Sequence, residues 1–460
     1  MKKILLFLLL VCFFSCNETE KDSDWTYFGG QIINPKVDYV YLVKNGEVLD
    51  STLLDNENNF LMKLKLSDES LFQFKHGNEF QYVYLQPKDS VLVRLNTWDF
   101  DESLVFTGNG AEKNNFLINI FLLNEQEDKD FYPYFKLDYQ TFANKIDSTL
   151  AIKNKLLSNF LENNKQVSDR FLKVAKAGLT LNLYRKKEHY SYGHMKLLEL
   201  KDGVAIDDNF YSYRKEINLN DTTLLYFHPY QNYLNSLIYN KALKSRETDT
   251  LNQSISLLAL QKVVEQSYDN TVKNMLLRQV LLESFLKKPT CNFNADELNY
   301  YEKNTTEGKD KTMIIKLIND ANSAKNGDKL YNFNVVDKNG KVHQINNLID
   351  KNNTVLYFWA PNTFSIEYLT SRIQFLEKQH PNILFLGINT NTKPESKEVS
   401  LNSNLKNQFF LPDNSFGKTH VNSSFPRVIL IDKNLTIVNS FTYLSSKHFN
   451  NQLTELEKIK

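Results

Sequence analysis

Cysteine is scarce in this sequence of 460 residues, which contains only Cys12, Cys16 and Cys291. The first two lie in or just after an apolar N-terminal run, so Cys291 is the one thiol expected in the folded protein. A single thiol cannot form an intramolecular disulfide. Two lysines lie three and four residues before Cys291, and a thiol beside them could be somewhat acidic. The alternative is a half-buried loop cysteine that takes part in no chemistry.

Other signatures of catalysis and binding are also missing. The net charge is only +1, so there is no basic excess with which to bind nucleic acid. The sequence has no Walker loop, no dinucleotide-binding glycine fingerprint and no Gly-x-Ser-x-Gly elbow. His189 and His194 are five residues apart and miss the spacing of four that puts two metal ligands on one helix face. We therefore expect no cofactor and no metal.

No apolar run is long enough to span a membrane. Residues 4–14 are apolar and follow a basic pair, but a transmembrane helix takes about 20 apolar residues. Residues 1–15 are therefore predicted to be a signal peptide. Ser15 followed by Cys16 resembles a bacterial lipobox, which implies cleavage before Cys16 and a diacylated N-terminus that holds the protein at a membrane. The alternative is an ordinary signal peptide in which Cys16 has no role.

The residues that are present divide the mature chain into three regions after a polar, acidic tether at residues 16–24. Short alternating segments separated by turns predict an antiparallel β-sandwich over residues 25–113. Apolar residues at helical spacing predict an all-helical domain over residues 114–325. Apolar runs that alternate with helical segments predict an α/β domain over residues 326–460. The expected architecture is therefore multidomain, of α+β and α/β class.

Two segments of the last region resemble the TlpA/ResA-like thioredoxins. One is an apolar strand that ends at Trp359, and the other is a second apolar strand directly after Phe425 and Pro426. In that family the first strand leads into Trp-Cys-x-x-Cys, and the second follows a cis-proline. The resemblance implies a thioredoxin-like fold for residues 326–460, with Pro426 at the position of the cis-proline.

The redox motif of this family is missing from the sequence. Thr363 and Ile366 stand where the two cysteines would lie, and Asn362 replaces the tryptophan before them. Thiol–disulfide exchange needs a thiolate that attacks and a second thiol that resolves the mixed disulfide. A hydroxyl and a butyl side chain can do neither. The resemblance therefore implies the fold without its usual reaction.

Segments of the two predicted regions before residue 326 also resemble parts of proteins that contain thioredoxin modules. Residues 30–34, 49–51, 87–90 and 106–116 resemble, in this order, the domain of unknown function that precedes thioredoxin modules in Bacteroidota lipoproteins. Residues 207–236 resemble the all-helical spacer of those proteins. The alternative is a generic sandwich without such kinship. The resemblance implies a lipid-anchored protein of the cell envelope at the outer membrane, on its periplasmic or its surface face.

The resemblance also implies a place for a ligand. In this family the residue before the proline offers backbone hydrogen bonds to an extended peptide, and Phe425 holds that position here. We predict a groove in which a peptide pairs like an added strand. Its candidate residues are Trp359, Pro361, Asn362, Thr363, Phe364, Phe425 and Pro426. The alternative is that its three aromatic residues are core residues left from a lost site.

Three functions are therefore compatible with the sequence. The first is a membrane-anchored envelope lipoprotein, redox-inactive, that binds or scaffolds envelope proteins or peptides. The second is a thiol–disulfide oxidoreductase of the TlpA/ResA type, for which only Cys291 would be available. The third is an accessory lipoprotein for nutrient or glycan capture, which depends only on the predicted sandwich and anchor and is an analogy at the level of the fold.

Overall fold

The computed structural model describes residues 24–201, 204–349, 351–361, 366–391, 405–423 and 425–459. Cys16 and the predicted signal peptide lie outside them. The chain divides into two compact units. Of the described residues, the first unit contains 24–118 except 45–47 and 75–80, which group with the second unit. No helix in the described residues is both long and apolar enough to cross a membrane.

Strands make up most of the first unit. Its described residues form eight strands: β1 (Thr26–Ile33), β2 (Tyr39–Lys44), β3 (Glu47–Leu53), β4 (Asn59–Leu64), β5 (Ser70–His76), β6 (Glu79–Leu85), β7 (Ser90–Asn96) and β8 (Val105–Asn109). One four-stranded sheet has the order β4-β1-β7-β8, and the other has the order β3-β2-β5-β6. Buried and exposed side chains alternate along β4 and β7, as the sequence pattern predicted.

The expected antiparallel arrangement is wrong for one pair of strands. β1 pairs antiparallel with β4 but parallel with β7, where Phe28 lies opposite Val91. Alternation along a strand reports which face a side chain occupies, and it carries no information about the direction of the neighbouring strand. The rings of Phe28 and Phe74, which belong to different sheets, lie 5.6 Å apart, so the two sheets contribute to a common core.

The segment after β8 has a structural role in the first unit. Gly110 has a φ of +97°, and a Cβ there would lie 2.7 Å from a carboxylate oxygen of Asp89. That carboxylate accepts a hydrogen bond from the backbone N–H of Gln86 at 2.8 Å. The buried side chain of Asn114 bonds to both the backbone N–H and the carbonyl of Tyr84. The glycine and asparagine of this segment are therefore explained by the fold.

The middle of the chain is helical, as predicted. The helices are α1 (Ala111–Phe131), α2 (Tyr139–Asn163), α3 (Asp169–Leu198), α4 (His228–Arg246), α5 (Ile255–Glu265), α6 (Asn270–Lys287), α7 (Ala295–Asn304) and α8 (Lys309–Asn322). Short 3₁₀ helices also occur, at Tyr132–Lys136, Asp208–Glu216 and Thr222–Leu224. Apolar residues predicted at helical spacing, such as Phe142 and Ile146, are completely buried. The helices are therefore held by packing of their apolar faces.

Several charged side chains in this region also serve the fold. The amine of Lys153 in α2 lies 2.7 Å from the carboxylate of Glu127 in α1, and both side chains are buried. Glu188 of α3 accepts hydrogen bonds from the Tyr213 hydroxyl at 2.6 Å and from Nε of Arg214 at 2.8 Å. Removal of one partner would leave a buried charge without compensation, so these pairs fix the helices relative to one another.

The C-terminal region is an α/β sheet. Its strands are β9 (Asn334–Val336), β10 (Val342–Gln344), β11 (Thr354–Trp359), β12 (Leu384–Asn389), β13 (Gln408–Phe410), β14 (Arg427–Ile431) and β15 (Ile437–Thr442). Its helices are α9 (Ile345–Ile349), α10 (Ile366–Gln379) and α11 (Phe449–Glu457), with a 3₁₀ helix at Phe416–His420. The strand order is β10-β9-β13-β12-β11-β14-β15.

The centre of this sheet confirms the predicted βαβ unit. β11 pairs parallel with β12, α10 connects the two, and β12 pairs parallel with β13. β14 and β15 add antiparallel strands on the other side of β11. All six residues of β11 are buried, because one apolar cluster covers each face of the sheet.

Candidate functional site

The site predicted from the sequence begins at the end of β11 with Trp359. This side chain is 2% exposed, and its indole Nε1–H donates a 3.0 Å hydrogen bond to Oε1 of Gln408. The Gln408 amide donates in turn to the hydroxyl of Tyr357 at 2.7 Å. The indole therefore lies in the core with its polar atom satisfied, and its ring is not presented to a ligand in solvent.

The other predicted residues near β11 fall into two groups. Asn362, Thr363 and Phe364 lie outside the described residues. Pro361 is half-buried, and Ile366 begins α10, where it packs against the apolar cluster on that face of the sheet. Ile366, at one of the two expected cysteine positions, therefore contributes to packing.

The structure gives the isomer of the peptide bond before Pro426. No cis peptide bond occurs in the described part of the chain, so the bond between Phe425 and Pro426 is trans. The family resemblance placed Pro426 at the position of the cis-proline, and the sequence left the isomer of this bond open. The trans form of an X–Pro bond is favoured by about 0.5–1 kcal/mol, and nothing in the local sequence specified the other form.

Phe425 makes contacts within the protein. Its backbone N–H donates to the hydroxyl of Ser423 at 3.3 Å. Its half-buried ring packs against a cluster that includes Phe285 of α6, Leu317 of α8 and Phe441 of β15. The N–H predicted to pair with a peptide therefore already has an internal partner, and the ring contacts the protein's own helices.

The loop before Phe425 is held by a carboxylate from the helical region. Asp320 of α8 is 1% exposed and accepts hydrogen bonds from the backbone N–H groups of Asn422 at 2.5 Å and Ser423 at 2.8 Å. The side chains of Asn422 and Ser423 donate to the same carboxylate. Charge-assisted bonds of this kind are roughly twice as strong as neutral ones, so Asp320 fixes this loop firmly to α8.

Arg427 extends this polar contact. It is 1% exposed, and its guanidinium donates to the Ser440 carbonyl at 2.7 and 3.2 Å, to the His420 carbonyl at 2.8 Å and to the Ser323 hydroxyl at 2.8 Å. Burial lowers the pKa of Arg427 to about 10, and the charge of Asp320 acts against that shift. Arg427 is therefore a cation at neutral pH, held between α8 and the sheet.

A serine and a histidine also meet at this contact. The hydroxyl of Ser323 lies 2.7 Å from Nδ1 of His420. A nucleophilic pair needs an accessible base oriented by a third group, but His420 is 1% exposed and its Nε2 has no hydrogen-bond partner among the described residues. Burial, and then the charge of Arg427, lower the pKa of His420 to about 3, so the ring is neutral. We assign the pair a structural role.

Cys291 lies away from the end of β11, in the loop between α6 and α7. It is 2% exposed, packs against Phe285 and Leu317, and donates its backbone N–H to the carbonyl of Phe441 at 2.8 Å. Burial raises the pKa of the thiol to about 12, against a smaller opposing effect of Lys288. The acidic-thiol interpretation is therefore wrong, because desolvation outweighs the neighbouring charge.

An exposed pair of aromatic rings near the end of β12 was not predicted from the sequence. The rings of Tyr331 and Phe416 lie 4.3 Å apart, and these residues are 66% and 44% exposed. Lys418, in the same 3₁₀ helix as Phe416, donates to the carbonyl of Thr390, just after β12. The aromatic pair therefore lies near the end of the sheet where β12 finishes. The two rings are far apart in the sequence, so no local pattern could pair them.

No protein-family model and no curated protein matches this chain. A protein assigned as a thiol-disulfide oxidoreductase from Bacteroides vulgatus is similar over 29% of this chain and 99% of its own, with 21% identity and a TM-score of 0.26. A thiol:disulfide interchange protein from Bacteroides sp. has 18% identity, coverages of 30% and 94%, and a TM-score of 0.23. A peroxidoxin from Mycobacterium tuberculosis has 16% identity, coverages of 30% and 99%, and a TM-score of 0.25. Similarity at this level supports no statement about activity.

Proposed function

We propose that this chain is a lipid-anchored protein of the cell envelope whose thioredoxin-like region binds or scaffolds other proteins or peptides and performs no thiol–disulfide exchange. The observation that carries the proposal is the state of Cys291. It is the one cysteine in the described residues, it is buried, and burial raises its pKa to about 12. A thiol that is neither ionised nor accessible cannot begin an exchange, and the residues that the structure describes contain no second thiol to complete one.

The proposed layout follows the sequence: a tether at residues 16–24, a β-sandwich over 25–113, a helical spacer over 114–325 and a thioredoxin-like domain over 326–460. The anchor would be Cys16. Residues 119–460, which contain nearly all of the last two regions, belong to one compact unit, and the bonds of Asp320 and Arg427 across the boundary of those regions support a rigid pairing. A rigid second unit suits a scaffold, because this unit presents its own surfaces in a fixed arrangement.

The surface we propose for protein binding is the aromatic pair of Tyr331 and Phe416. Trp359 is enclosed and Phe425 is engaged by the helices, so neither supports the predicted groove. Exposed aromatic rings, in contrast, supply large contact areas at protein interfaces at a low cost in conformational entropy. The aromatic pair lies at the same end of the sheet as the predicted groove, and we propose the pair, in place of the groove, as the contact for other proteins.

The proposal that the chain performs no thiol–disulfide exchange is tested by insulin reduction in the presence of dithiothreitol. We expect the full chain to give no rate above dithiothreitol alone, and Cys291→Ser to behave identically. Iodoacetamide at pH 8 should leave Cys291 unmodified in the native protein and modify it in urea, because unfolding removes the burial that suppresses the thiolate. Insulin reduction that disappears in Cys291→Ser would establish the oxidoreductase alternative instead.

Protein binding is tested by crosslinking the full chain in its native membranes. Phe416→Asp should lose crosslinked partners that Phe375→Asp keeps. Phe375 is a matched control, since it is 48% exposed and lies on α10 of the same region. Identical partners in both variants would exclude the aromatic pair as the contact.

A further inference from the structure

A cleft of about 920 Å³ lies in the helical region, between the loop that enters α5 and the exposed face of α7. Its volume is in the range of sites that hold small molecules. Five of the twelve residues along its wall have amide side chains: Asn252, Gln253, Gln261, Asn294 and Asn299. We call it the amide cleft.

The wall of the amide cleft is held from beneath by a buried carboxylate. Glu297 is 3% exposed and accepts hydrogen bonds from the hydroxyl of Ser254 at 2.6 Å and from that of Ser284 at 2.5 Å. These three residues come from α7, the start of α5 and α6, so one side chain fixes three helices. A wall fixed before binding costs less conformational entropy when a ligand arrives.

The loop at the other side of the cleft is also fixed. Asp249 accepts hydrogen bonds from the backbone N–H groups of Leu251 at 3.1 Å and Gln253 at 2.6 Å. Asn252 between them has a φ of +50°, a conformation that asparagine tolerates better than most residues. The loop therefore presents its side chains in a defined direction, although it lies on the surface.

Several amides of the cleft are not used by the fold. The side chains of Asn252, Gln261 and Asn299 make no hydrogen bond to another residue in the part of the chain that the structure describes. Asn299 and Lys303 lie four residues apart on α7, and Tyr300 neighbours them, so one face of that helix points its polar groups into the cleft. Their hydrogen-bonding capacity is available to a ligand.

The composition of the wall indicates the class of ligand. A side-chain amide presents a donor and an acceptor side by side, which matches two neighbouring hydroxyl groups that each donate and accept. Tyr300 and the 77% exposed Leu251 add apolar surface for the C–H face of a sugar ring. Arg246 and Lys303 are opposed by Asp296, so the wall has little net charge.

From this combination we infer that the amide cleft binds a neutral carbohydrate, in the form of a short oligosaccharide. The site lies on the helical region, apart from the aromatic pair, so it adds a second binding activity to the proposed scaffold. The amides would recognise the hydroxyl groups, and Tyr300 would pack against the ring.

The test uses the full chain, purified in a detergent that has no sugar headgroup. An array of defined neutral and acidic oligosaccharides identifies the ligand, and calorimetry measures its affinity. We expect a neutral oligosaccharide to bind, and Asn299→Ala and Tyr300→Ala each to weaken it at least tenfold. Asn154→Ala, an exposed amide on α2 outside the cleft, should bind with unchanged affinity.

Three results would overturn the assignment. The first is that no oligosaccharide of the array binds. The second is that the bound sugar has the same affinity for both variants and the wild type, which would place it elsewhere. The third is binding limited to acidic glycans, since that would make Arg246 and Lys303 the recognition groups in place of the amides. Melting curves of both variants show that any loss of affinity occurs in folded protein.

Discussion

The end of β11 and the amide cleft contain similar polar side chains but use them in opposite ways. At β11 the polar atoms of Trp359, Gln408 and Tyr357 bond to one another. In the cleft, the amides of Gln261 and Asn299 have no internal partner among the described residues. The fold therefore uses the polar side chains at the end of β11, whereas those of the amide cleft have hydrogen-bonding capacity left for a ligand.

The polar contact between α8 and the loop before β14 is like the end of β11, because its polar groups also bond within the protein. Asp320 and Arg427 are charged, and a charged pair in a cleft would suggest catalysis. Both are 1% exposed, however, and the hydrogen bonds described above link each of them to backbone groups of the protein. Their charge stabilises a junction within the second unit, and substitutions there should have the largest effect on stability.

The largest effect is expected for Asp320→Ala. This variant removes the hydrogen-bond acceptor of the backbone N–H groups of Asn422 and Ser423, of which the second is buried, and it removes the negative charge near Arg427. Loss of one partner from a buried charged contact costs about 3–5 kcal/mol. The urea midpoint of the second unit, followed by circular dichroism, should fall accordingly.

The matched control is Asp328→Ala, because Asp328 is exposed and close to α8 in the sequence. Its urea midpoint should stay near that of the wild type. If the two variants had equal midpoints, Asp320 would not be the residue that holds the loop to α8.

An intermediate effect is expected for Gln408→Leu. Leucine has a similar size, but it leaves the indole N–H of Trp359 and the hydroxyl of Tyr357 without their partner, which costs about 1–3 kcal/mol per unsatisfied buried group. The same substitution in the amide cleft, Gln261→Leu, removes no internal bond and should leave the melting temperature unchanged. Equal shifts for the two variants would show that the two sites do not differ as proposed.

Much of the fold could be predicted from local patterns, but the partners of the site residues could not. The apolar run of β11 and the helical spacing of apolar residues in α10 identified the βαβ unit. A buried strand or helix leaves a pattern of apolar residues that is visible within a short segment of sequence. Trp359 bonds to a residue 49 positions away, and Asp320 to one 103 positions away. Periodicity reports that a position is buried, and it does not report which distant side chain will lie opposite.

Two residues show how far the sequence indicates the surroundings of a side chain, correctly for Arg427 and misleadingly for Cys291. Arg427 opens a strand that is otherwise apolar, Val-Ile-Leu-Ile, and a charge at the start of a buried strand indicates a buried polar contact. Cys291 gave a misleading signal, because the lysines before it are visible in the sequence while the packing of Phe285 and Leu317 around the thiol is not. Charge is local in sequence, and desolvation depends on the tertiary fold.

The smallest effect on stability is expected for Asn299→Ala. The Asn299 amide bonds to no described residue, so the substitution should change the free energy of unfolding by less than about 0.5 kcal/mol, as is usual for surface positions. Its effect should appear only with ligand present. A saturating oligosaccharide at one hundred times its dissociation constant stabilises the wild type by about 2.7 kcal/mol, because it binds only the folded state. At that concentration of oligosaccharide, the melting temperature of Asn299→Ala should rise distinctly less than that of the wild type. A clearly lower melting temperature of this variant without ligand would contradict the prediction. It would show that the Asn299 side chain supports the fold, as the polar side chains at the end of β11 do.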